Sequence, residues 1–133
     1  SISVIIEKFI PGRELTVGIL GEDHLPIVEI IPSHGLYDYE CKYKSGMSHY
    51  ICPAKLELGI YLNMQNDALK LHQSLGCRHY SRIDFRLNEN GDYFMLEINT
   101  LPGMTSTSLI PKAAKAQKIS FDKLLKNIIR LAM

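Results

Sequence analysis

The sequence predicts an α+β domain in which a mainly antiparallel sheet is flanked by helices. Three observations predict it. Residues 81–99 form two alternating segments joined at Asn90-Gly91, the strongest short-range hairpin signal a sequence offers. Glu14 to Leu20 alternates as well, with Leu15, Val17 and Ile19 on one face and Glu14, Thr16 and Gly18 on the other. Ala54–Leu75 and Phe121–Leu131 instead repeat their apolar residues at helical spacing.

In chain order, Ile2 to Phe9 is a nearly continuous apolar run, as expected for a strand buried on both faces. Pro11-Gly12 breaks it with a turn. The alternating strand follows, then a loop at Gly21–His24 and a third strand from Leu25 to Ile31 that ends at Pro32. Residues 33–53 show no clean period and carry Tyr37, Tyr39, Tyr43 and Tyr50, which predicts a long loop acting as a lid or binding element. Ala54–Leu75 reads as a helix stopped at Gly76, with His72 on its apolar face in a core or partly exposed role and not as a ligand. A short helix runs from about Ser108 through Ala116 with Pro111 in its first turn. Ser120 caps a last helix whose Phe121, Leu124, Leu125, Ile128 and Leu131 form one stripe.

With 133 residues, 46% of them hydrophobic, the chain supports one cored domain and not two. A formal charge of +1 is close to neutral and points to neither a nucleic-acid groove nor an anionic-membrane surface. Cys41, Cys52 and Cys77 are odd in number and lack metal-ligand spacing, which predicts reduced thiols in the cytoplasm. No signal peptide and no membrane-spanning apolar run are visible. The chain opens inside an apparent strand without an initiator methionine, as expected of a segment, 1–133, of a longer protein.

The hairpin carries the chemistry. With Asn90 and Gly91 as a two-residue turn, Glu89 pairs with Asp92, Asp84 stands opposite Glu97, and Arg82 opposite Asn99. Ile83, Phe85 and Leu87 then share an apolar face with Phe94, Leu96 and Ile98. Opposed like charges on one face are destabilising, so Asp84 and Glu97 call for a cation, and their hard oxygen donors suit Mg²⁺. Charged solvent-facing decoration is the competing reading. Against it, Arg82 and Asn99 extend the same cluster, and Thr100–Ser108 follows at once, rich in small and hydroxyl residues able to present backbone N–H groups to an anion.

Val4-Ile-Ile-Glu-Lys-Phe-Ile-Pro-Gly-Arg-Glu14, Arg82-Ile-Asp84 and Glu97-Ile-Asn-Thr-Leu-Pro-Gly-Met-Thr-Ser-Thr-Ser-Leu109 closely resemble the C-terminal part of the D-alanine–D-alanine ligase family of ATP-grasp enzymes. The resemblance runs in order over essentially the whole chain, including Tyr37-Asp-Tyr-Glu-Cys-Lys-Tyr43. It implies an ATP-dependent ligation of two D-alanine molecules through an acyl phosphate, feeding peptidoglycan precursors. It further implies that Asp84, Glu97 and Asn99 hold two Mg²⁺ ions, with Mn²⁺ as a substitute. Arg82 and the Gly103 N–H would stabilise an oxyanion, and Ser108 with the Leu109 N–H would bind the carboxylate of the second D-alanine. Glu7, Lys8, Phe9 and Ile10 would contact adenine, and Glu14 the ribose hydroxyls. Lys42 would reach the phosphates, and Tyr43 would help close the site. The remaining domains of the same ligase, and a second copy in a homodimer, are the implied partners.

Two alternatives stay open in the sequence. One is another ATP-grasp ligase, including a variant that makes a terminal D-lactate or D-serine. The other is a non-catalytic nucleotide- or metal-binding module.

Overall fold

The structure, a computed structural model, describes residues 2–33 and 48–133. Lys42, Tyr43 and most of the predicted long loop lie outside the described residues.

The elements are β1 (Arg13–Leu20), β2 (Asp23–His24), β3 (Val28–Pro32), β4 (Ser48–Ile51), α1 (Leu58–Ser74), β5 (Tyr80–Leu87), β6 (Tyr93–Asn99), α2 (Leu109–Ala116) and α3 (Phe121–Ala132). Among the described residues the sheet runs β4-β3-β1-β5-β6, with β2 paired to the end of β1, and every pairing is antiparallel. The α+β expectation holds.

Five boundaries differ from the sequence reading. Residues 2–11 are not a strand but an irregular stretch, with Ile2, Val4, Ile5 and Ile6 all at least three-quarters exposed. An apolar run becomes a buried strand only when a neighbour supplies its ladder, and among the described residues none does. Asp23–His24, read as loop, pairs with Ile19 and Leu20, and the third strand starts at Val28 instead of Leu25. The end of the predicted long loop forms β4, paired with β3 from Glu29↔Ile51 to Pro32↔Ser48. Helix α1 begins at Leu58, because the Ala54 N–H is committed to the Ile27 carbonyl at 2.8 Å and Glu57 is extended. Its end is as predicted: Gly76 and Cys77 return their N–H groups to Gln73 and His72.

Alternation in β1 and β5 produces two cores. On one face Leu15, Val17, Ile19, Ile83, Phe85 and Leu87 pack with Met64 and Ala68 of α1. On the other, Leu20, Leu25, Val28 and Ile30 pack with Leu109, Ile110, Ala113 and Leu124 of α2 and α3. Each fully buried Leu, Ile or Phe contributes about 1.5–3 kcal/mol. Arg13 adds a tie across the sheet, meeting both carboxylate oxygens of Glu29 at 2.8 and 2.6 Å and the Lys55 carbonyl at 2.9 Å. Its hydrogen bonds to the Glu29 carboxylate raise the Arg13 pKa, and burial offsets this in part.

His72 fills the core role expected of it. It is 3% exposed, and its Nδ1 lies 2.6 Å from the Oγ of the wholly buried Ser81. Burial pushes the imidazole pKa below its ordinary value, and Glu22 offsets this only in part. A lowered folded-state pKa means that the unfolded chain binds the proton more readily, so stability falls as pH drops through the ordinary histidine range. Urea midpoints should therefore fall between pH 7.5 and pH 5.5. In His72→Gln that part of the fall should disappear, whereas an unchanged slope would place the titration elsewhere.

Candidate functional site

The site is made by strand register. β1 and β5 pair without interruption from Arg13↔Leu87 to Leu20↔Tyr80. Because side chains alternate, Leu15/Phe85 and Val17/Ile83 fall on the α1 face. The intervening pairs Glu14/Arg86, Thr16/Asp84 and Gly18/Arg82 line the opposite face. β6 sets Glu97 against Asp84 and Asn99 against Arg82, as the hairpin reading predicted.

The hairpin reaches that register by a different route. The Asn88 N–H donates to the Asp92 carbonyl at 2.9 Å, so the loop is Glu89-Asn90-Gly91, three residues closed by Gly91 at φ 85°. The Asn88 side chain organises it by accepting from the N–H groups of Asn90 and Asp92. Glu89 therefore does not pair with Asp92. The loop shifts the pairing by one residue, and a bulge between Asp84 and Phe85 shifts it back: Phe85 pairs with Met95, leaving Leu96 as the extra residue. Asp84–Glu97 and Arg82–Asn99 survive, while everything between loop and bulge is displaced. Tyr93 and Met95, not Phe94 and Leu96, turn toward α1. Tyr93 stacks edge-on against Phe85 and donates its hydroxyl to Asp67 at 2.6 Å. Phe94 stands opposite Arg86 on the polar face.

Charge along this face is tightly paired. Arg82 grips Asp84 with both prongs, Nε to Oδ1 and Nη2 to Oδ2, each 2.9 Å. The Thr16 hydroxyl adds a third bond to Oδ1 at 2.6 Å. Arg86 meets Glu14 at 2.5 Å. Arg82, Asp84 and Arg86 are each less than 10% exposed, whereas Glu97 is exposed. Among the described residues the strip thus carries two guanidiniums, Arg82 and Arg86, and three carboxylates, Glu14, Asp84 and Glu97.

The sequence-predicted cation ligands, Asp84, Glu97 and the amide of Asn99, come together on β5 and β6. Among the described residues no three His, Cys, Asp or Glu side chains cluster, so the protein offers two carboxylates and an amide, all hard oxygen donors. Such a set fits Mg²⁺, which keeps waters and substrate phosphates among its ligands. A carboxylate has about four lone-pair sites, and the three bonds to Asp84 leave room on Oδ2. The Asn99 Oδ1 already accepts the Leu101 N–H at 3.0 Å, which fixes the side chain at the strand exit.

The loop after β6 folds back on itself. Ser108 occupies the cap position of α2, but its hydroxyl makes no capping bond. It is engaged instead by the N–H and hydroxyl of Thr105, at 3.0 and 2.8 Å. Simple side-chain capping is thereby excluded for Ser108, while Ser120 does cap α3 by accepting from the Lys123 N–H. Gly103 lies beside Ser108, since a Cβ at position 103 would come within 3.1 Å of the Ser108 Oγ. Leu109 is buried at the start of α2. At the other end, Lys8, Phe9 and Ile10 line a cavity of about 380 Å³ together with Phe94. Glu7 is exposed.

Residues 2–130 match the family model described as D-ala D-ala ligase C-terminus. The chain belongs to that family. It is 51% identical over 129 residues to a D-alanine–D-alanine ligase of Bartonella bacilliformis, covering 95% of this chain and 42% of the relative. In structure it resembles the D-alanine–D-alanine ligase of Bacillus anthracis complexed with ATP, with a TM-score of 0.80 and 31% identity over 94% of this chain and 39% of that one. The VanG D-Ala:D-Ser ligase of Enterococcus faecalis is similar too, with a TM-score of 0.76 and 30% identity over 95% of this chain and 38% of that one. The chain spans about two-fifths of the length of the ligases it matches.

Within this ligase-family site, sequence reasoning missed Thr16, Arg86 and Phe94. Thr16 and Arg86 were legible as members of the alternating polar rows Glu14-x-Thr16 and Arg82-x-Asp84-x-Arg86, though nothing in the pattern gave them partners. Phe94 was hidden by the bulge.

Thr16 is 1% exposed, and its hydroxyl supports a buried carboxylate. Hydrogen bonds to charged groups contribute about 1.5–3 kcal/mol. Thr16→Val should therefore destabilise the protein by about 2 kcal/mol in urea unfolding, and Thr16→Ser by less than half of that. Equal losses in the two variants would mean that packing, not the Asp84 bond, is what Thr16 supplies.

Proposed function

We propose that this chain is the C-terminal part of an ATP-dependent ligase that joins two D-alanine molecules into D-alanyl-D-alanine for peptidoglycan precursors, releasing ADP and phosphate. The observation that carries the proposal is the strip of Arg82, Asp84, Glu97 and Asn99 on one sheet face, followed in the chain by a loop in which Gly103 lies against Ser108. Membership in the family supports it, as does similarity to a relative solved with ATP.

The reaction runs in two stages. ATP phosphorylates the carboxylate of the first D-alanine, and the amine of the second attacks the resulting acyl phosphate. The tetrahedral intermediate then collapses with loss of phosphate. Two Mg²⁺ ions held by Asp84, Glu97 and Asn99, with Mn²⁺ as a substitute, would neutralise the phosphate oxygens during transfer.

The remaining work falls to this chain's own groups. Arg82, oriented by its two-pronged bond to Asp84, faces the oxyanion together with the Gly103 N–H, which is electrostatic stabilisation by fixed donors. Ser108 and the Leu109 N–H receive the carboxylate of the second D-alanine at the start of α2. Glu7, Lys8, Phe9 and Ile10 present backbone and apolar surface to adenine, and Glu14 accepts from the ribose diol. Lys42, outside the described residues, would reach the phosphates, and Tyr43 beside it would help exclude water from the acyl phosphate. The first D-alanine and the rest of the phosphate cradle are held by the remaining domains of the same ligase, which works as a cytoplasmic homodimer. No helix among the described residues is long and apolar enough to cross a membrane.

The test is made in the intact ligase. Arg82→Ala should lower kcat by about 10²-fold or more while ATP still binds. Loss of nucleotide binding with kcat retained would favour a binding module instead. The isolated chain should form no detectable dipeptide, and turnover by it alone would contradict the division of labour proposed here.

A further inference from the structure

Arg86 has no part in the assignments above, yet it is 6% exposed and wholly occupied. Its guanidinium gathers the segment that leads from the irregular N-terminal stretch into β1. Nε donates to the Ile10 carbonyl, Nη2 to the Gly12 carbonyl at 3.0 Å, and Nη1 to the Glu14 Oε1 at 2.5 Å. The same group lies 5.1 Å from the centroid of the Phe9 ring, in cation–π range. A planar fork with five donors serves two carbonyls and a carboxylate at once, which a lysine ammonium on its flexible stem does not.

Among the described residues little else fixes the segment it holds. Residues 2–12 have no strand partner among the described residues. Gly12 sits at φ 140°, and a Cβ there would fall 2.0 Å from the Leu87 carbonyl oxygen, so the chain bends tightly against the end of β5 at that point. Beyond the bend, Phe9 and Ile10 stand where Arg86 puts them, lining the 380 Å³ cavity with Phe94.

We infer that Arg86 is a positioning residue of the nucleotide subsite. It holds the Phe9 ring, the Ile10 carbonyl and the Glu14 carboxylate in one frame, so that base and ribose meet a preformed surface. The inference rests on the proposed function and deepens it, giving nucleotide recognition a buried support distinct from the metal ligands.

The experiment uses the intact ligase and compares KM for ATP with KM for D-alanine. Arg86→Lys keeps the charge and loses the fork. It should raise KM for ATP by about tenfold or more and leave KM for D-alanine within about twofold, with kcat at saturating ATP falling far less than kcat/KM. An unchanged KM for ATP overturns the inference, and so does a parallel shift in both KM values, which marks a general structural role. A measurement on the unaltered enzyme does not depend on the variant folding. The Arg86 Nε–H signal in a nitrogen-15 spectrum should stay protected and shift when ATP or ADP binds, and not when D-alanine binds alone. Absence of that nucleotide-induced shift also overturns the inference. If the unaltered protein forms no dipeptide from ATP and D-alanine, the proposed function falls and this inference with it. If it does form dipeptide and Arg86→Lys leaves KM for ATP unchanged, only the inference falls.

Discussion

Everything at the site depends on the unbroken antiparallel register of β1 against β5. A slip of one residue would turn the faces of β5 over relative to those of β1. Ile83 and Phe85 would then leave Val17 and Leu15 for the polar side, and Asp84 and Arg86 would be driven against α1. The apolar face therefore enforces the functional one. Burial of the α1-side core selects one register, and that register sets Glu14 by Arg86, Thr16 by Asp84 and Gly18 by Arg82. Gly18 completes the arrangement. A Cβ there would press within 3.1 Å of Leu25 and 3.3 Å of Ile110, so its absence lets α2 come down close to the strip.

The charges on that strip owe their worth to geometry more than to stability. Desolvating an ion pair costs several kcal/mol per ion, and its attraction often does no more than offset this. Breaking one partner is a different matter, because the survivor is left buried and uncompensated. The order Arg82, Asp84, Arg86 along β5 places a carboxylate between two cations, with Glu14 closing the end. Each guanidinium is thereby pinned in a fork geometry before any substrate arrives. In the ligase we propose, that preorganisation serves opposite ends of one nucleotide, with Arg82 near the reacting phosphate and Arg86 behind the base and ribose.

Much of this was legible in the residues. Alternation gave both faces of β1, helical spacing gave α1 and α3, and Pro111 in a first turn gave α2, with ends correct to a few positions. The Asp84–Glu97 opposition was right, but through two errors of one residue that cancel. A two-residue turn is the natural reading of Asn90-Gly91. Nothing local announces that the Asn88 side chain will instead enclose three residues, or that Leu96 will bulge. Ile2–Phe9 misled for another reason. Apolar composition reports what a segment would bury, not whether a neighbour is at hand to bury it. Arg86 went unassigned because its partners, Phe9 to Glu14, lie more than seventy positions away, and no spacing rule spans that distance.

The proposed function requires nucleotide-bound metal to sit on the polar face of β5 and β6, and not in the cavity of about 360 Å³ that Asp67, Leu71 and Ser74 of α1 form with Tyr93 and Met95 of β6. Titrating the intact ligase with Mn²⁺ in the presence of ATP, and following paramagnetic broadening residue by residue, tests this most directly. Signals of Thr16, Asp84 and Asn99 should broaden first, with Leu71 and Ser74 on the α1 side unaffected. Broadening centred on the α1 side, or none localised to the β5–β6 hairpin, would contradict the account.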